Sequence, residues 1–280
     1  MNRILQKEWL TPQVARLRVE APRIARRWKP GQFVILRPAP ASERIPLTIV
    51  EGSPEEGTIT LVVQIAGKTT AVTAHLEPGQ SLADLVGPLG EPATVARFGS
   101  VLCVGGGVGV AEVLPIARGL RAAGNRVAVL CGARSAAQII LAAELREAVD
   151  EVAWATDDGS AGFSGTVAGL MRQWRGERPA RLDAVFCIGP VPMMQAVAEL
   201  TRLWAVPTFA SLNPIMVDGT GMCGGCRVTV GGQVRFACVE GPEFDAHQVD
   251  FNELAARNRA YLELERRAFE RHRCRLGLGC

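Results

Sequence analysis

The chain has few aromatic residues, few histidines and no long apolar run. Aromatics make up 5% of its 280 residues, with one tyrosine and three histidines. None of the histidines (75, 247 and 272) stands in a nucleophile or metalloprotease pattern, which argues against hydrolase chemistry, and we expect all three at the surface. No apolar run reaches the about 18 residues that span a bilayer, and charged residues interrupt the N-terminal segment before a signal core forms. We therefore expect a cytoplasmic protein without a membrane partner.

The net charge is also small, because 31 Lys and Arg are nearly balanced by 28 Asp and Glu. The excess of +3 belongs to residues 251–280, which hold seven arginines and four glutamates. The sequence has neither a dense cluster of basic residues nor many aromatic residues that could stack on bases, so nucleic acid is not an expected partner. Apolar residues recur at helical spacing in this tail, at Phe251, Leu254, Leu262 and Phe269. They predict a single C-terminal helix with a solvated or docking face.

The eight cysteines do not predict a disulfide scaffold, since cytosolic thiols stay reduced. Three lie inside apolar runs and are expected to pack as small hydrophobic residues: Cys103, Cys131 and Cys187. Two lie in the tail without a recognisable pattern: Cys274 and Cys280. The remaining three belong to a glycine-rich segment described below.

The pattern of predicted strands and helices and the residue composition change along the chain and predict four segments. Residues 1–97 alternate short β-type runs with Pro and Gly, which is typical of an antiparallel barrel. Residues 98–207 alternate strands with helices, expected near 111–123, 135–149 and 164–174, as in a doubly wound parallel sheet. Residues 208–250 form a short module rich in Cys and Gly, and 251–280 form the tail. The expected fold class is thus a β barrel plus an α/β domain.

A glycine-rich turn joins a strand to a helix at V-L-C-V-G-G-G-V-G-V-A-E, residues 101–112. Its glycines would let backbone amides approach a pyrophosphate at the helix N-terminus: Gly105, Gly106, Gly107 and Gly109. A tight strand-to-helix connection without a ligand is the alternative interpretation. The spacing departs from G-x-G-x-x-G and favours a reductase-type nucleotide domain over a standard dehydrogenase.

Two further turns are expected at the same carboxyl edge of the parallel sheet, where ligands bind. Gly189 and Pro190 follow one strand, and T-D-D-G-S at 156–160 follows another. The carboxylates of Asp157 and Asp158 would accept hydrogen bonds from a free ribose and repel a 2'-phosphate, which favours NAD(H) over NADP(H). Both residues could instead only cap a turn.

In the barrel segment, R-I-P-L-T-I at 44–49 and A-G-K-T-T at 66–70 offer a cation, a hydroxyl and an anion-friendly turn. Arg44 can pair with a pyrophosphate, and Thr48 can hydrogen-bond a ring nitrogen. Beside a nucleotide domain this motif predicts a flavin site, although R-x-P-x-T also occurs in ordinary surface turns.

The strongest pattern is V-D-G-T-G-M-C-G-G-C-R-V-T-V-G-G-Q-V-R-F-A-C at 217–238. Asp218, Cys223, Cys226 and Cys238 follow the spacing x4, x2, x11, which resembles C-x4-C-x2-C of plant-type 2Fe-2S ferredoxins with Asp218 in place of the first Cys. Glycines around the cysteines give amides room to turn toward cluster sulfurs. Three Cys plus Asp could also bind structural zinc.

The order of these motifs over nearly the whole chain resembles the ferredoxin reductase-like electron-transfer subunits. That family includes the electron-transfer subunits of dihydroorotate dehydrogenase B and the small subunits of NADH-dependent reduced ferredoxin:NADP+ oxidoreductases. This sequence is more similar to the second group, which also carries Asp at the first ligand position. The resemblance implies an oxidoreductase subunit that moves electrons between NAD(H), FAD and a 2Fe-2S cluster in a bifurcating complex. It implies as partners a larger, glutamate synthase small chain-like subunit carrying FAD and 4Fe-4S clusters, and ferredoxin through the complex.

Carried onto this sequence, the resemblance implies three ligand sets. The cluster ligands would be Asp218, Cys223, Cys226 and Cys238. The FAD contacts would include Arg44, Pro46, Leu47, Thr48, Thr69 and Thr70. The NAD(H) contacts would be Gly105, Gly106, Gly107, Gly109, Asp157 and Gly189.

Two departures from the family pattern concern the flavin and nicotinamide contacts. Leu47 stands where the wider family prefers an aromatic residue, and C-I-G-P replaces C-G-P, so that Cys187 is not expected at the nicotinamide. An electron-transfer subunit of a dihydroorotate dehydrogenase B-like or glutamate synthase-like complex is the first alternative. A zinc-stabilised nucleotide-binding regulator without redox activity is the second.

Overall fold

A computed structural model describes residues 2–178 and 181–273 of the chain. Cys274 and Cys280 lie outside the described residues. Two seven-stranded sheets and a two-stranded ribbon organise this part of the chain.

The first sheet is antiparallel throughout and runs in the order β6-β1-β2-β5-β4-β3-β7. Its strands are β1 Asn2–Thr11, β2 Val14–Glu20, β3 Phe33–Arg37, β4 Ile45–Ser53, β5 Thr58–Gln64, β6 Ser81–Leu82 and β7 Asp84–Leu89. Helices α1 (Pro22–Ala25) and α2 (Lys68–Ala74) connect them. The two edge strands β6 and β7 are separated only by Ala83, so the sheet must curl until its edges nearly meet. The predicted antiparallel barrel is confirmed.

The second sheet runs in the order β11-β10-β9-β8-β12-β13-β16 and is parallel except for its last pair. Its strands are β8 Ser100–Gly106, β9 Arg126–Ala133, β10 Glu151–Thr156, β11 Phe163–Ser164, β12 Ala184–Ile188, β13 Thr208–Ser211 and β16 Glu243–Asp245. The separate two-stranded ribbon consists of β14 Arg227–Val230 and β15 Gln233–Phe236. The helices are α3 Gly109–Ala122, α4 Ala142–Ala148, α5 Val167–Glu177 and α6 Val191–Leu203. Parallel neighbours require crossover helices, and these cover both faces. The predicted doubly wound sheet is confirmed.

The two faces of this sheet belong to different parts of the core. On β8, Leu102 and Val104 pack into one apolar cluster, whereas Val101 and Cys103 pack into the other. The three cysteines predicted to be buried, Cys103, Cys131 and Cys187, have no exposed surface. Burial raises the pKa of each thiol well above its usual range, so these side chains are unreactive packing residues.

Several local predictions were wrong. The tail forms two helices, α7 Phe251–Asn258 and α8 Leu262–Arg273, of which α7 is anchored by buried Phe251 and Leu254. The helix expected at 135–149 is a short 3-10 turn followed by α4, because Leu141 adopts a left-handed conformation with φ of 55°. The three histidines lie at the surface as expected but are only partly exposed; the ring of His247, for example, bonds the Thr201 hydroxyl. No helix in the described ranges is long and apolar enough to cross a membrane.

Candidate functional site: a cavity between barrel and nucleotide sheet, beside a cysteine loop

A cavity of about 270 Å³ lies between β4 of the barrel, the start of α3 and the segment 211–216. Pro46, Leu47 and Thr48 of the R-x-P-x-T motif line it. Most of its other walls are apolar: Phe33, Val50, Val62, Val108, Ala111, Leu212, Pro214, Met216 and Pro242. Apolar walls with a few polar groups suit a flat aromatic ring system, so these residues fit an isoalloxazine.

One carboxyl group faces this cavity. Glu112, in the first turn of α3, is half-buried there, with Thr48 within hydrogen-bonding reach. Burial raises the pKa of Glu112 from 4.5 to about 7, and the Thr48 hydroxyl opposes this only in part. Sequence reasoning missed Glu112, although it is the only charged residue in G-V-A-E-V-L-P-I-A at 109–117 and this was a usable signal.

The raised pKa of Glu112 makes its effect on stability depend on pH. The folded chain keeps the proton up to about pH 7, whereas the unfolded chain releases it near pH 4.5, so this group's contribution to stability falls as pH rises between these values. We compare the free energy of unfolding of Glu112→Gln with that of the unmutated chain at each pH. This difference should be about 1–2 kcal/mol more favourable to the variant at pH 8 than at pH 5, a figure reduced for partial exposure. Urea unfolding at both pH values measures the gain, and equal differences at the two would contradict it.

The glycine-rich turn follows β8 directly and is packed against the turn after β12. A Cβ on Gly109 would lie 2.5 Å from the Ile188 carbonyl oxygen, and one on Gly106 would lie 2.5 Å from Met193 Sδ. Gly107 differs, because its φ is +57° and a Cβ there would meet no atom within 4 Å. Gly109 thus meets rigid backbone, Gly106 meets a flexible methionine side chain, and Gly107 presents the open backbone that a pyrophosphate would need.

The other predicted nucleotide residues lie along the same sheet edge. Gly189 follows β12, which pairs in parallel with β8 so that Ile188 is opposite Gly105. Asn213, which lines the cavity, donates to the Gly189 carbonyl at 3.4 Å and so connects the edge to the cavity. Asp157 is exposed beyond β10, two strands from β8. Cys187 is sealed in the core and does not reach this edge.

The remaining predicted flavin contacts form a second patch on the barrel. Arg44 is exposed just before β4. The Thr69 hydroxyl on α2 donates to the carboxylate of Glu43 at 2.9 Å, which ties α2 to the R-x-P-x-T strand. The Thr70 hydroxyl accepts from the Gly67 amide at 2.9 Å and donates to the Gly67 carbonyl. Both hydroxyls are thus used inside the chain, and sequence reasoning could not detect this.

The predicted cluster ligands lie on one loop and the ribbon that follows it. Cys226 and Cys238 are buried next to each other, and the Cys238 amide contacts Cys226 Sγ at 3.4 Å. Burial, together with Cys226, raises the pKa of Cys238 to about 12. Cys223 is exposed, and the Gly225 amide contacts its Sγ at 3.4 Å. Amides directed at sulfur are the donors that iron–sulfur sites use, so the set fits a cluster chemically.

Asp218 is engaged differently in this structure. Its carboxylate accepts from the amides of Thr220 at 2.7 Å and Cys223 at 2.6 Å, and these bonds hold its pKa below the usual range. In the described part of the chain no three Cys, His, Asp or Glu side chains are arranged to hold a metal ion. Ligation by all four residues would therefore require their side chains to move on cluster binding, and it remains a prediction.

The cysteine loop packs against barrel strands β3 and β7. A Cβ on Gly219 would be 2.6 Å from Leu89 and 2.7 Å from Ile35, side chains of β7 and β3. Met216, two residues before Asp218, lines the cavity itself. Two larger depressions, of about 810 and 600 Å³, lie on the outer barrel face and beside β10 and β11, and neither contains residues of the cavity or the loop.

Comparison with known proteins agrees with this architecture. A family model for the iron-sulfur cluster binding domain of dihydroorotate dehydrogenase B matches residues 213–250. The dihydroorotate dehydrogenase B electron transfer subunit homolog of Thermotoga maritima is 44% identical over 97% of this chain and 95% of its own length. The electron transfer subunit of Desulforamulus reducens is 33% identical over 88% and 96%.

The chain belongs to the family of dihydroorotate dehydrogenase B electron transfer subunits.

The chain also matches a solved structure of the NADH-dependent reduced ferredoxin-NADP oxidoreductase, which was determined to study flavin-based electron bifurcation. The two superpose with a TM-score of 0.92 and are 42% identical. The match covers 97% of this chain and 98% of the other. A ferredoxin reductase of carbazole 1,9a-dioxygenase, 19% identical with a TM-score of 0.60 over 73% of this chain and 65% of the other, shares the fold. The predicted ferredoxin reductase-like fold and family are confirmed.

Proposed function

We propose that this chain is the electron-transfer flavoprotein subunit of an NADH-dependent reduced ferredoxin:NADP+ oxidoreductase. It is an NAD(H)-dependent oxidoreductase subunit whose cofactors are FAD, NAD(H) and a 2Fe-2S cluster, as the sequence predicted and as the family and its cluster-binding domain bear out. The cofactors supply hydride and single-electron chemistry, while the protein sets their positions and surroundings.

The observation that carries this proposal is the adjacency of the cavity and the cysteine loop. Segment 211–216 forms a wall of the cavity and continues directly into Asp218 and the cysteines. The glycine-rich turn and the helix that follows it contribute Val108 and Glu112 to the lining of the same cavity. The cavity is thus lined both by residues next to the proposed NAD(H) turn and by the segment that leads into the proposed cluster loop, so FAD bound there would be close to both of its electron-transfer partners.

We assign the three sets of ligands accordingly. For the cluster they are Asp218, Cys223, Cys226 and Cys238. For FAD they are Arg44, Pro46, Leu47, Thr48, Thr69 and Thr70. For NAD(H) they are Gly105, Gly106, Gly107, Gly109, Asp157 and Gly189.

The partner we propose is a larger subunit that carries FAD and 4Fe-4S clusters, with ferredoxin reached through the complex in the cytoplasm. Apolar side chains around the cysteine loop support a partner at this face. Met222 is 88% exposed, and Val217 and Val239 are each 45% exposed. Such a group at the electron exit is typical of a protein contact surface.

The test is spectroscopic and biochemical. The purified full chain should show flavin absorption and a reducible EPR signal, NADH should bleach the flavin, and the tagged chain should co-purify with a larger flavin and iron–sulfur subunit. A colourless protein that binds zinc would overturn the proposal in favour of a nucleotide-binding regulator.

The second candidate is the electron-transfer subunit of a dihydroorotate dehydrogenase B, favoured by the names of its relatives and by the matched cluster domain. Asp218 at the first ligand position supports the transhydrogenase instead. Binding of NADP+ and ferredoxin by the purified complex distinguishes the first candidate, and binding of orotate distinguishes the second.

Replacing the proposed carboxylate ligand should change the cluster without removing it. We expect Asp218→Cys to retain the EPR signal but to shift the reduction potential, because a carboxylate oxygen stabilises ferric iron differently from a thiolate. Protein-film voltammetry measures the shift. Asp245→Cys, which alters an exposed carboxylate on β16, is the control and should leave the potential unchanged. An unchanged potential in Asp218→Cys would show that Asp218 is not a ligand.

A further inference from the structure

Glu112 is an isolated charge-bearing group in the cavity. Seventeen residues line this cavity in the described part of the chain, and Glu112 is the one ionisable side chain among them. The polar residues that share the walls with it are neutral: Thr48, Gln64, Ser211 and Asn213. No cation therefore balances an ionised Glu112 from within the cavity.

The elements packed against α3 do not supply a cation either. Glu51 on β4 is exposed, and Glu144 on α4 pairs with Arg16 at 2.9 Å. Arg121 and Arg126 lie at the opposite end of α3 and β9, where both are exposed.

The neighbouring strands bring one further carboxyl group near the cavity and no charge into it. Glu243 on β16, next to Pro242 of the cavity wall, is half-buried and accepts from the Thr94 amide at 2.9 Å. Strands β8 and β12 carry no charged residue. Desolvation without a compensating charge accounts for the raised pKa of Glu112.

We propose that Glu112 is the proton-holding residue of the flavin site, taking up a proton from solvent when the cavity gains negative charge on two-electron reduction. This inference rests on the proposed function, which places FAD in the cavity. Hydride transfer from NADH releases NAD+ and brings two electrons and one proton into the cavity, which leaves one negative charge. The ionised Glu112 then binds one proton from solvent, and this restores the net charge.

The proposal gives Glu112 a role that a simple structural contact would not have. A carboxyl group that only held Thr48 in place would shift the flavin potential by the same amount at every pH. A proton-holding group instead changes the slope of the flavin reduction potential against pH, because above about pH 7 reduction takes up one more proton when Glu112 is present. That extra proton changes the reduction equilibrium tenfold per pH unit, or about 29.6 mV for a two-electron couple.

The experiment is a spectroelectrochemical titration of the FAD-loaded full chain between about pH 6 and pH 9. The unmutated chain should show the steeper slope above about pH 7, and Glu112→Gln should show a slope shallower by one proton per two electrons. Glu112→Leu, which also removes the ionisable group, covers the case in which the glutamine variant fails to fold. Glu243→Gln is the matched control, because it neutralises a second half-buried carboxyl group outside the cavity and should keep the steeper slope.

An independent readout is the redox-induced infrared difference spectrum at about pH 8.5. A protonated carboxyl band should appear on reduction of the unmutated chain and be absent from Glu112→Gln. Equal slopes in both proteins, or a band that persists in the variant, would overturn the inference while leaving the proposed function intact. Failure of the unmutated chain to bind FAD would instead contradict the proposed function itself.

Discussion

Replacing Cys226 by alanine is expected to abolish the 2Fe-2S cluster while leaving FAD bound. Cys226 is the central cysteine of the loop, 1% exposed, and its sulfur contacts the amide of Cys238. A cluster that loses one of four ligands loses both the charge balance and the geometry that retain iron. Iron content and the EPR signal should fall to background, and NADH should still bleach the flavin.

The control for this variant is Cys103→Ala, which removes the same sulfur from another buried position. Cys103 has no exposed surface and packs in the core of the nucleotide sheet. Each variant should lose about 1–2 kcal/mol of folding stability to the cavity it creates, but only Cys226→Ala should lose iron. Retention of a full complement of iron by Cys226→Ala would remove Cys226 from the ligand set.

Replacing Gly109 by alanine should strongly destabilise the nucleotide domain. The added Cβ would lie 2.5 Å from the Ile188 carbonyl oxygen, which is backbone and cannot rotate away as a side chain would. Relief requires the start of α3 to move away from the end of β12. We expect a loss of about 3 kcal/mol, measured by urea unfolding. A loss below about 1 kcal/mol would mean that this turn is loosely packed.

The matched variant Gly107→Ala separates folding from nucleotide binding. Its Cβ meets no atom within 4 Å, so the stability cost should be about 1–2 kcal/mol, from the left-handed φ of +57° alone. If the open backbone cradles a pyrophosphate, NADH should bind at least tenfold more weakly, as measured by titration of flavin bleaching. Unchanged NADH affinity would support the alternative that the turn is only a strand-to-helix connection.

Periodicity and turn chemistry predicted the main architecture correctly because these signals are local. Short alternating runs broken by Pro and Gly indicated the barrel, and a buried strand leading into glycines and a helix indicated the nucleotide sheet. The predicted proximity of Gly189 to the glycine-rich turn also follows from topology, since parallel neighbouring strands bring their carboxyl ends to one edge. The buried state of Cys103, Cys131 and Cys187 was predictable from their apolar neighbours.

Features that depend on distant parts of the chain could not be predicted in this way. The burial of Glu112 arises because β4 of the barrel faces α3 across the cavity, a contact between segments far apart in sequence. The hydroxyl of Thr69 is taken up by Glu43 for the same reason. The break between α7 and α8 was missed because Leu262 and Phe269 continue the spacing of Phe251 and Leu254 although the helix ends at Asn258.

The antiparallel pairing of β16 with β13 determines how the cysteine loop can move. Leu212 and Pro242 are joined by a backbone hydrogen bond of 2.8 Å, Ala246 bonds Thr208 at 2.8 Å, and Val230 bridges to Val249. The segment that bears the cysteines is thereby fastened at both ends to the nucleotide sheet. This anchoring differs from that of a carrier domain on a flexible linker, which swings between donor and acceptor. A cluster held by these cysteines, as proposed, would therefore transfer electrons by tunnelling from a fixed position, and the rate would be set by how the acceptor docks rather than by movement of a domain.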